Sequence, residues 1–322
     1  MTAFFVRRLL LAIALVVVSS SAALLLTRLA PGDLTTQLGV TASAGEIAAT
    51  RERFDLDRSP LAQWGRWSAR AIRLDFGESF LYNRPVGPLV RASALNTAAL
   101  AVVALVTATV LGIGCGVVTG SRRGGLLPSI IRTLSLTAIS IPPLLASLLL
   151  AFVAARTGWL PVGGMGSVGA TDRSWLDWSI DLAWHLPLPV LALALPLAAT
   201  FERLQAQSMV DALHQPFVTA ARARGALPRD VVRRHAWPVS LPSICGVYGI
   251  AIGALFSGSF VVEYITAWPG LGRLMYEALR ARDIYLVAGC AAMGSVFLAI
   301  GTLAGDLLLA VVDPRVREAA AP

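Results

Sequence analysis

Residues 217–238 read FVTAARARGALPRDVVRRHAWP, a polar, arginine-rich insert between two apolar stretches, residues 182–201 before it and 237–262 after it. In a chain that is 56% hydrophobic, a segment this basic between two membrane-length stretches must lie at a membrane face. Arg222, Arg224, Arg229, Arg233 and Arg234 select the cytoplasmic face. Pro216 opens a first short helix over 217–224, since proline is tolerated in a first turn, and Gly225 stops it in a left-handed backbone. A second helix starts near Pro228-Arg229-Asp230 and runs to His235. Two short helices meeting at a glycine make a compact knob, and this knob is the part of the chain best placed to meet a soluble partner.

Composition supports the membrane reading. All 27 basic residues are arginine, against 19 acidic ones, and the mean hydropathy is +0.69. A pI near 10.4 points to nucleic acid in a soluble protein. Here the arginines fall in loops between apolar stretches and share no soluble face, so nucleic acid is excluded as a partner and membrane lipid takes its place. Cys115, Cys245 and Cys290 lie singly in apolar stretches, with no CxxC spacing, and read as small packing residues; no metal or disulfide framework is expected.

The apolar stretches then number six. Arg7 and Arg8 precede residues 9–26, all uncharged, and hold the start of a first span in the cytoplasm. The small residues 19–23 are followed by more leucine, which argues against signal cleavage. Residues 31–95 form a folded excursion on the outer side, with helix starts at 41–43 and an amphipathic stretch over 61–72 whose Trp64 and Trp67 suit the membrane interface. Residues 97–118 are uncharged and end at the basic turn Ser121-Arg122-Arg123-Gly124. Gly112-Ile-Gly-Cys-Gly116 within them has no strand–helix unit after it, so it reads as a helix-packing surface and not a phosphate loop.

The third span, 133–155, is broken at Ile141-Pro142-Pro143, where two prolines force a kink or unwinding. Such breaks near mid-membrane suit a transport path. An external loop bearing Trp159, Trp175, Trp178 and Trp184 leads to the fourth span, with His185 at its outer end as an interfacial residue. In the fifth, Gly249, Gly253 and Ser257 stand four apart, on one face, where neighbouring backbones can approach. The sixth is 284–305, followed by Asp306, which is expected to pair with an arginine at the cytoplasmic end. No mid-span carboxylate is expected.

Several short motifs resemble those of one family. Thr219-Ala220-Ala221, Gly225, His235 and Pro238 have the spacing of the EAA loop of binding-protein-dependent ABC transporter permeases. FVTAARARG is similar to the version found in the dipeptide, oligopeptide and nickel permeases. Arg28-Leu-Ala-Pro-Gly-Asp33, Asp75-Phe-Gly-Glu-Ser79, Ala267-Trp-Pro-Gly-Leu-Gly272 and Asp313-Pro-Arg-Val-Arg317 resemble further marks of those permeases in the same order. Leu74 stands where the second mark usually has glycine. Thr219 replaces the acidic residue that opens the general motif, so an ion pair made there in other members is absent or supplied by Arg222 or Arg224.

The resemblance implies an all-α integral membrane protein with six transmembrane helices of the type I ABC importer permease fold and an external excursion between helices 1 and 2. Its parts would be residues 1–30 (cytoplasmic N-terminus and helix 1), 31–95 (external), 96–312 (five-helix core with a coupling loop over 207–238) and a cytoplasmic tail, 313–322. It implies that the loop docks in an ATPase subunit, through Phe217, Thr219, Ala220, Ala221, Arg222, Arg224, Gly225, His235 and Pro238. The partners implied are a second permease subunit, ABC ATPase subunits and an external solute-binding protein, all at the inner membrane. Without a GxxxxGK[ST] loop, this chain is expected to bind no ATP or other cofactor, leaving ATP and Mg to the ATPases, and to catalyse nothing itself. Two other readings stand beside it. An ion-coupled secondary transporter would need carboxylates at membrane depth. An intramembrane serine protease would use Ser257 or Ser259, but the histidines, His185, His214 and His235, all precede both serines.

Overall fold

The computed structural model describes residues 2–29, 43–54, 56–122, 124–167 and 174–312. The expected marks over 30–33 and 313–317, and Arg123, fall outside the described residues. Among the described residues, five helices are long and apolar enough to cross a membrane: α1 (Thr2–Leu29), α4 (Val86–Ser121), α8 (Pro187–Leu213), α13 (Tyr248–Ile265) and α15 (Ile284–Val312). A sixth crossing is available if α5 (Leu126–Ser140) and α6 (Pro143–Thr157) are taken together as one broken span.

The chain divides into two compact units. The first comprises Ala98–Trp268 and the segment from Ile300 on. Its core gathers Leu100, Ala104 and Ala108 of α4, Leu193 and Phe201 of α8, Leu255 and Val262 of α13, and Trp268. The break at Ile141-Pro142-Pro143 is sharper than a kink: α5 and α6 meet at 109°. A residue before proline is pushed to extended backbone, and both Ile141 (ψ 111°) and Pro142 (ψ 151°) stand in that position and adopt it. Pro143 then opens α6, where its missing N–H costs nothing.

The fourth and fifth spans differ from the expected stretches. α7 (Trp175–His185) precedes the fourth span as a separate helix, and α8 continues past the apolar limit at Phe201 to Leu213. His185 is buried, its Nδ1 2.8 Å from the Asp181 carbonyl oxygen, and is a packed residue where an interfacial one was expected. Trp175, Trp178 and Trp184 are exposed. The fifth stretch does not run as one helix from Trp237. Pro238 and Pro242 each remove a backbone donor, and the chain passes through α11 (Trp237–Ser240) and α12 (Pro242–Cys245) before α13 begins at Tyr248.

The second unit comprises Thr2–Thr97 and Pro269–Ala299. Ser43 starts α2 (Ala44–Arg53) through a capping box with Glu46, which satisfies two helix-end donors reciprocally. In α3 (Pro60–Ala71), Trp67 is only 3% exposed and donates its Nε1 to the Phe76 carbonyl, while Trp64 donates to Ser21 of α1. Trp67 therefore faces the interior of the unit, Trp64 is half-buried, and each ring N–H has found a partner.

Asp283, nearly inaccessible, accepts from Ser79 Oγ (2.6 Å) and from the Leu81 and Leu286 amides (both 3.1 Å). It ties the two-stranded ribbon β1 (Glu78–Ser79) and β2 (Arg84–Pro85) to the start of α15. Burial pushes its carboxyl up against the opposing pull of those bonds. The amphipathic α14 (Leu271–Arg280) begins at Gly270, which has no capping side chain; Thr97 Oγ1 accepts the Leu271 amide at 2.7 Å in its place.

Candidate functional site

Three short elements build the knob over 216–236: α9 (Pro216–Ala223), α10 (Pro228–Asp230) and a π-helical segment, Val231–Ala236. α9 lies one residue earlier than its expected limits at each end. Its C-terminus is a Schellman motif, in which the Ala226 amide reaches the Ala221 carbonyl and the Gly225 amide reaches Arg222, with Gly225 at φ +86°. Leu227 then leads into Pro228 at a first-turn position. The second expected helix is therefore present, but from Val231 it has one more residue per turn than an α-helix.

The knob has a core of its own. Val218 and Ala221 of α9 pack on Val231, with Leu213 of α8 and Ala226 at the edge. Ala236 packs beside it on Met209 and Ala212 of α8. Consequently Ala221 is an internal residue. Phe217, Thr219, Ala220, Arg222, Arg224, Gly225 and Pro238 are exposed, and His235 is half-buried. Arg229, Arg233 and Arg234 are exposed too; Arg234 lies 3.9 Å from Asp230, a surface pair of little weight. The outward surface therefore combines an aromatic ring, small side chains and a set of arginines.

Behind the knob, α8 is held closely to α4. A Cβ added at Gly112 would stand 2.7 Å from the Ala198 carbonyl oxygen, at Gly116 2.7 Å from that of Glu202, and at Gly120 2.5 Å from that of Ala206. Gly114, read together with Gly112 and Gly116 from the sequence, faces away and has nothing within 4 Å among the described residues. The four-residue spacing from Gly112 extends to Gly120, and the sequence carried that signal.

Glu202 and Gln205, on successive turns of α8, are both buried. Thr119 Oγ1 donates to Glu202 Oε1 (2.5 Å), and Arg132 of α5 donates to the Thr119 carbonyl (2.8 Å). Gln205 Nε2 donates to Ser240 Oγ of α11 (2.7 Å). Glu202 and Glu263 lie in spanning helices, just past the apolar limits at Phe201 and Val262, because α8 and α13 each continue beyond those limits. Glu263 is fully buried near the end of α13.

The residues expected along a path are not all brought together. Pro143 lies against the position a Cβ on Gly258 would take, 3.5 Å away. Gly249 meets α15, where a Cβ on Gly305 would stand 2.5 Å from its amide nitrogen. Gly253 is half-buried, whereas Ser257 is exposed. Gly301 and Gly305, missed in the sequence, supply the close approach to α13.

Apolar spanning helices with a basic knob fixed to the end of one of them define a multi-pass membrane component. Residues 108–318 match the family described as binding-protein-dependent transport system inner membrane component, and the chain belongs to that family. It is 28% identical over 319 residues to the oligopeptide transport system permease protein AppB of Bacillus subtilis, covering 98% of this chain and 99% of that one. A probable peptide ABC transporter permease protein of Sinorhizobium fredii is 30% identical over 319 residues (98% and 100% covered). A putative peptide transport system permease protein of Brucella abortus is 32% identical over 320 residues (98% and 99% covered). The chain is thus an inner-membrane permease subunit of an ABC importer, a transport component. Neither the ion-coupled transporter nor the serine protease is favoured.

Proposed function

We propose that this subunit carries peptides, and that it receives the work of ATP hydrolysis through residues 217–238. The observation that carries the second part is the knob itself, whose outer surface is free while its inner surface is packed on the end of a spanning helix, so that force applied to it acts on α8. The peptide assignment rests on the relatives' descriptions. The partners of the reading are a second permease subunit, ATPase subunits that bind ATP and Mg, and a solute-binding protein on the outer side. The permease would alternate between two access states biased by ATP binding in the ATPases and by docking of the loaded receptor, because a ligand shifts an equilibrium only by its differential affinity for the states.

This arrangement requires both termini, the turn at Arg122–Arg123 and the knob to be cytoplasmic, with residues 31–95 outside. Three crossings must then separate residues 43 and 226, namely α4, the α5–α6 pair and α8. Membrane-impermeant thiol labelling of single-cysteine probes, in a chain with Cys115, Cys245 and Cys290 replaced, is expected to tag Ser43→Cys and spare Ala226→Cys. Labelling of both would make α5–α6 a re-entrant pair and put the knob outside, away from any ATPase.

A further inference from the structure

We propose that Gln205 is a positioning residue for coupling, which passes displacement of the knob's exit helix α11 to α8 through its hydrogen bond to Ser240. The proposal rests on the reading of 217–238 as the ATPase-coupling loop and adds the route by which the loop moves the spanning helices.

The chain enters the knob along α8 and leaves it along the π segment and α11. Gln205 bridges entry and exit. It is completely buried, Ser240 is 1% exposed, and Ser240 Oγ passes the interaction on by donating to the Trp237 carbonyl at 2.8 Å. A buried donor held at 2.7 Å fixes the rotation of α11 against α8, because turning α11 away would leave the amide without its acceptor.

Two features at the same joint point to a second arrangement. The segment just before α11, Val231–Ala236, is π-helical, a form found mostly as short insertions and often at functional sites. Returning it to α-helix shifts the register of everything after it by one residue, which turns α11 by about 100° and carries Ser240 away from Gln205. The π form and the Gln205–Ser240 bond therefore stand or fall together. In addition, Gln205 Oε1 is buried with no hydrogen-bond partner among the described residues. A half-satisfied buried amide in a native structure calls for an explanation, and service in two arrangements provides one.

Gln205 also cannot move alone. A Cβ added at Gly116 would lie 2.5 Å from Gln205 Cβ and 2.7 Å from the Glu202 carbonyl oxygen, so α4 sits against the root of the Gln205 side chain. One turn earlier Glu202 is bonded to Thr119 of α4, whose carbonyl takes Arg132 of α5. A rotation of α8 at Gln205 thus moves α4 and α5 with it. The sequence from α11 through Gln205 to α8 and then to α4 and α5 is a chain of contacts, and the proposal makes the π segment at its head the two-state element that a coupling route requires.

The test uses the complete transporter, this chain with its ATPases, second permease and receptor, in proteoliposomes supplied with a labelled oligopeptide library. For Gln205→Leu and for Ser240→Ala we expect ATPase co-purification within about twofold of wild type and uptake per ATP hydrolysed reduced at least about fivefold. The double variant should be no worse than the more impaired single, and Ser240→Thr, which keeps the hydroxyl, should retain more than half of wild-type coupling. A purely packing role would lower protein yield and leave the uptake-to-hydrolysis ratio of the surviving protein unchanged, and that result overturns the proposal. So does additive loss in the double variant, or loss of the ATPase from both singles. Gly225→Asp run alongside separates the two claims. If it keeps its ATPase, the loop is not the docking site and the proposal falls with that reading; if it loses the ATPase while Gln205→Leu retains full uptake per ATP, the proposal alone falls.

Discussion

Gly225→Asp is expected to leave the chain inserted and abundant while removing ATPase co-purification and uptake. Gly225 sits at φ +86° as the turning residue of the Schellman motif, a conformation that costs residues other than glycine about 1 kcal/mol and aspartate somewhat less than most. A Cβ there meets nothing within 4 Å among the described residues, so within this chain the new side chain is accommodated. The large effect therefore has to come from the docked partner, where an unpaired carboxylate forced into a contact surface costs about 3–5 kcal/mol, roughly 100-fold or more in affinity. Gly225→Ala adds a methyl group and the backbone cost, and is expected to lose about fivefold or less. Pull-down of the ATPase from membranes with verified insertion checks both. Full retention by the aspartate variant would reduce residues 217–238 to a basic loop.

A second large effect is expected from Gly116→Leu in α4. Its Cβ alone would fall 2.5 Å from Gln205 Cβ and 2.7 Å from the Glu202 carbonyl oxygen, and backbone cannot swing aside as a flexible side chain does. The helices must separate, which strains the packing and pulls on the Thr119–Glu202 bond, together at least about 3 kcal/mol. The variant is expected to lose most of its monodisperse protein in detergent, with a clear drop in midpoint temperature. Gly114→Leu, two residues away in the same helix, faces open space and should stay within about 0.5 kcal/mol of wild type. Equal behaviour of the two would contradict the α4–α8 contact.

Much of this was legible from residue order alone, and the parts that were not share a cause. Gly225 and Pro228 punctuate the knob by backbone chemistry that acts locally, so the limits of α9 came out within one residue. The π segment VVRRHA has no such mark, since its extra residue per turn is set by packing of Val231 and Ala236 on two different clusters. Hydropathy located the spans but not the helices: it hid Glu202, Gln205 and Glu263, which lie where α8 and α13 outlast their apolar stretches. Ile141-Pro142-Pro143 marked the break in the third span, though the 109° turn exceeds what two prolines dictate by themselves; Pro238 and Pro242 carried the same kind of mark for the interrupted start of the fifth, which was read as one unbroken stretch. Trp67 went to the interior of the second unit because tryptophan suits interface and core equally, and only the Phe76 carbonyl within its reach decides between them.

The central claim is that ATP hydrolysed elsewhere drives peptide uptake through this subunit by way of residues 217–238. Its most direct measurement is uptake of a labelled oligopeptide library into proteoliposomes holding this chain, its second permease and its ATPases, with receptor outside and ATP inside. The account predicts ATP-dependent, receptor-dependent uptake and no hydrolysis above background when the ATPases are omitted. Peptide accumulation driven by an ion gradient with the ATPases absent would contradict it.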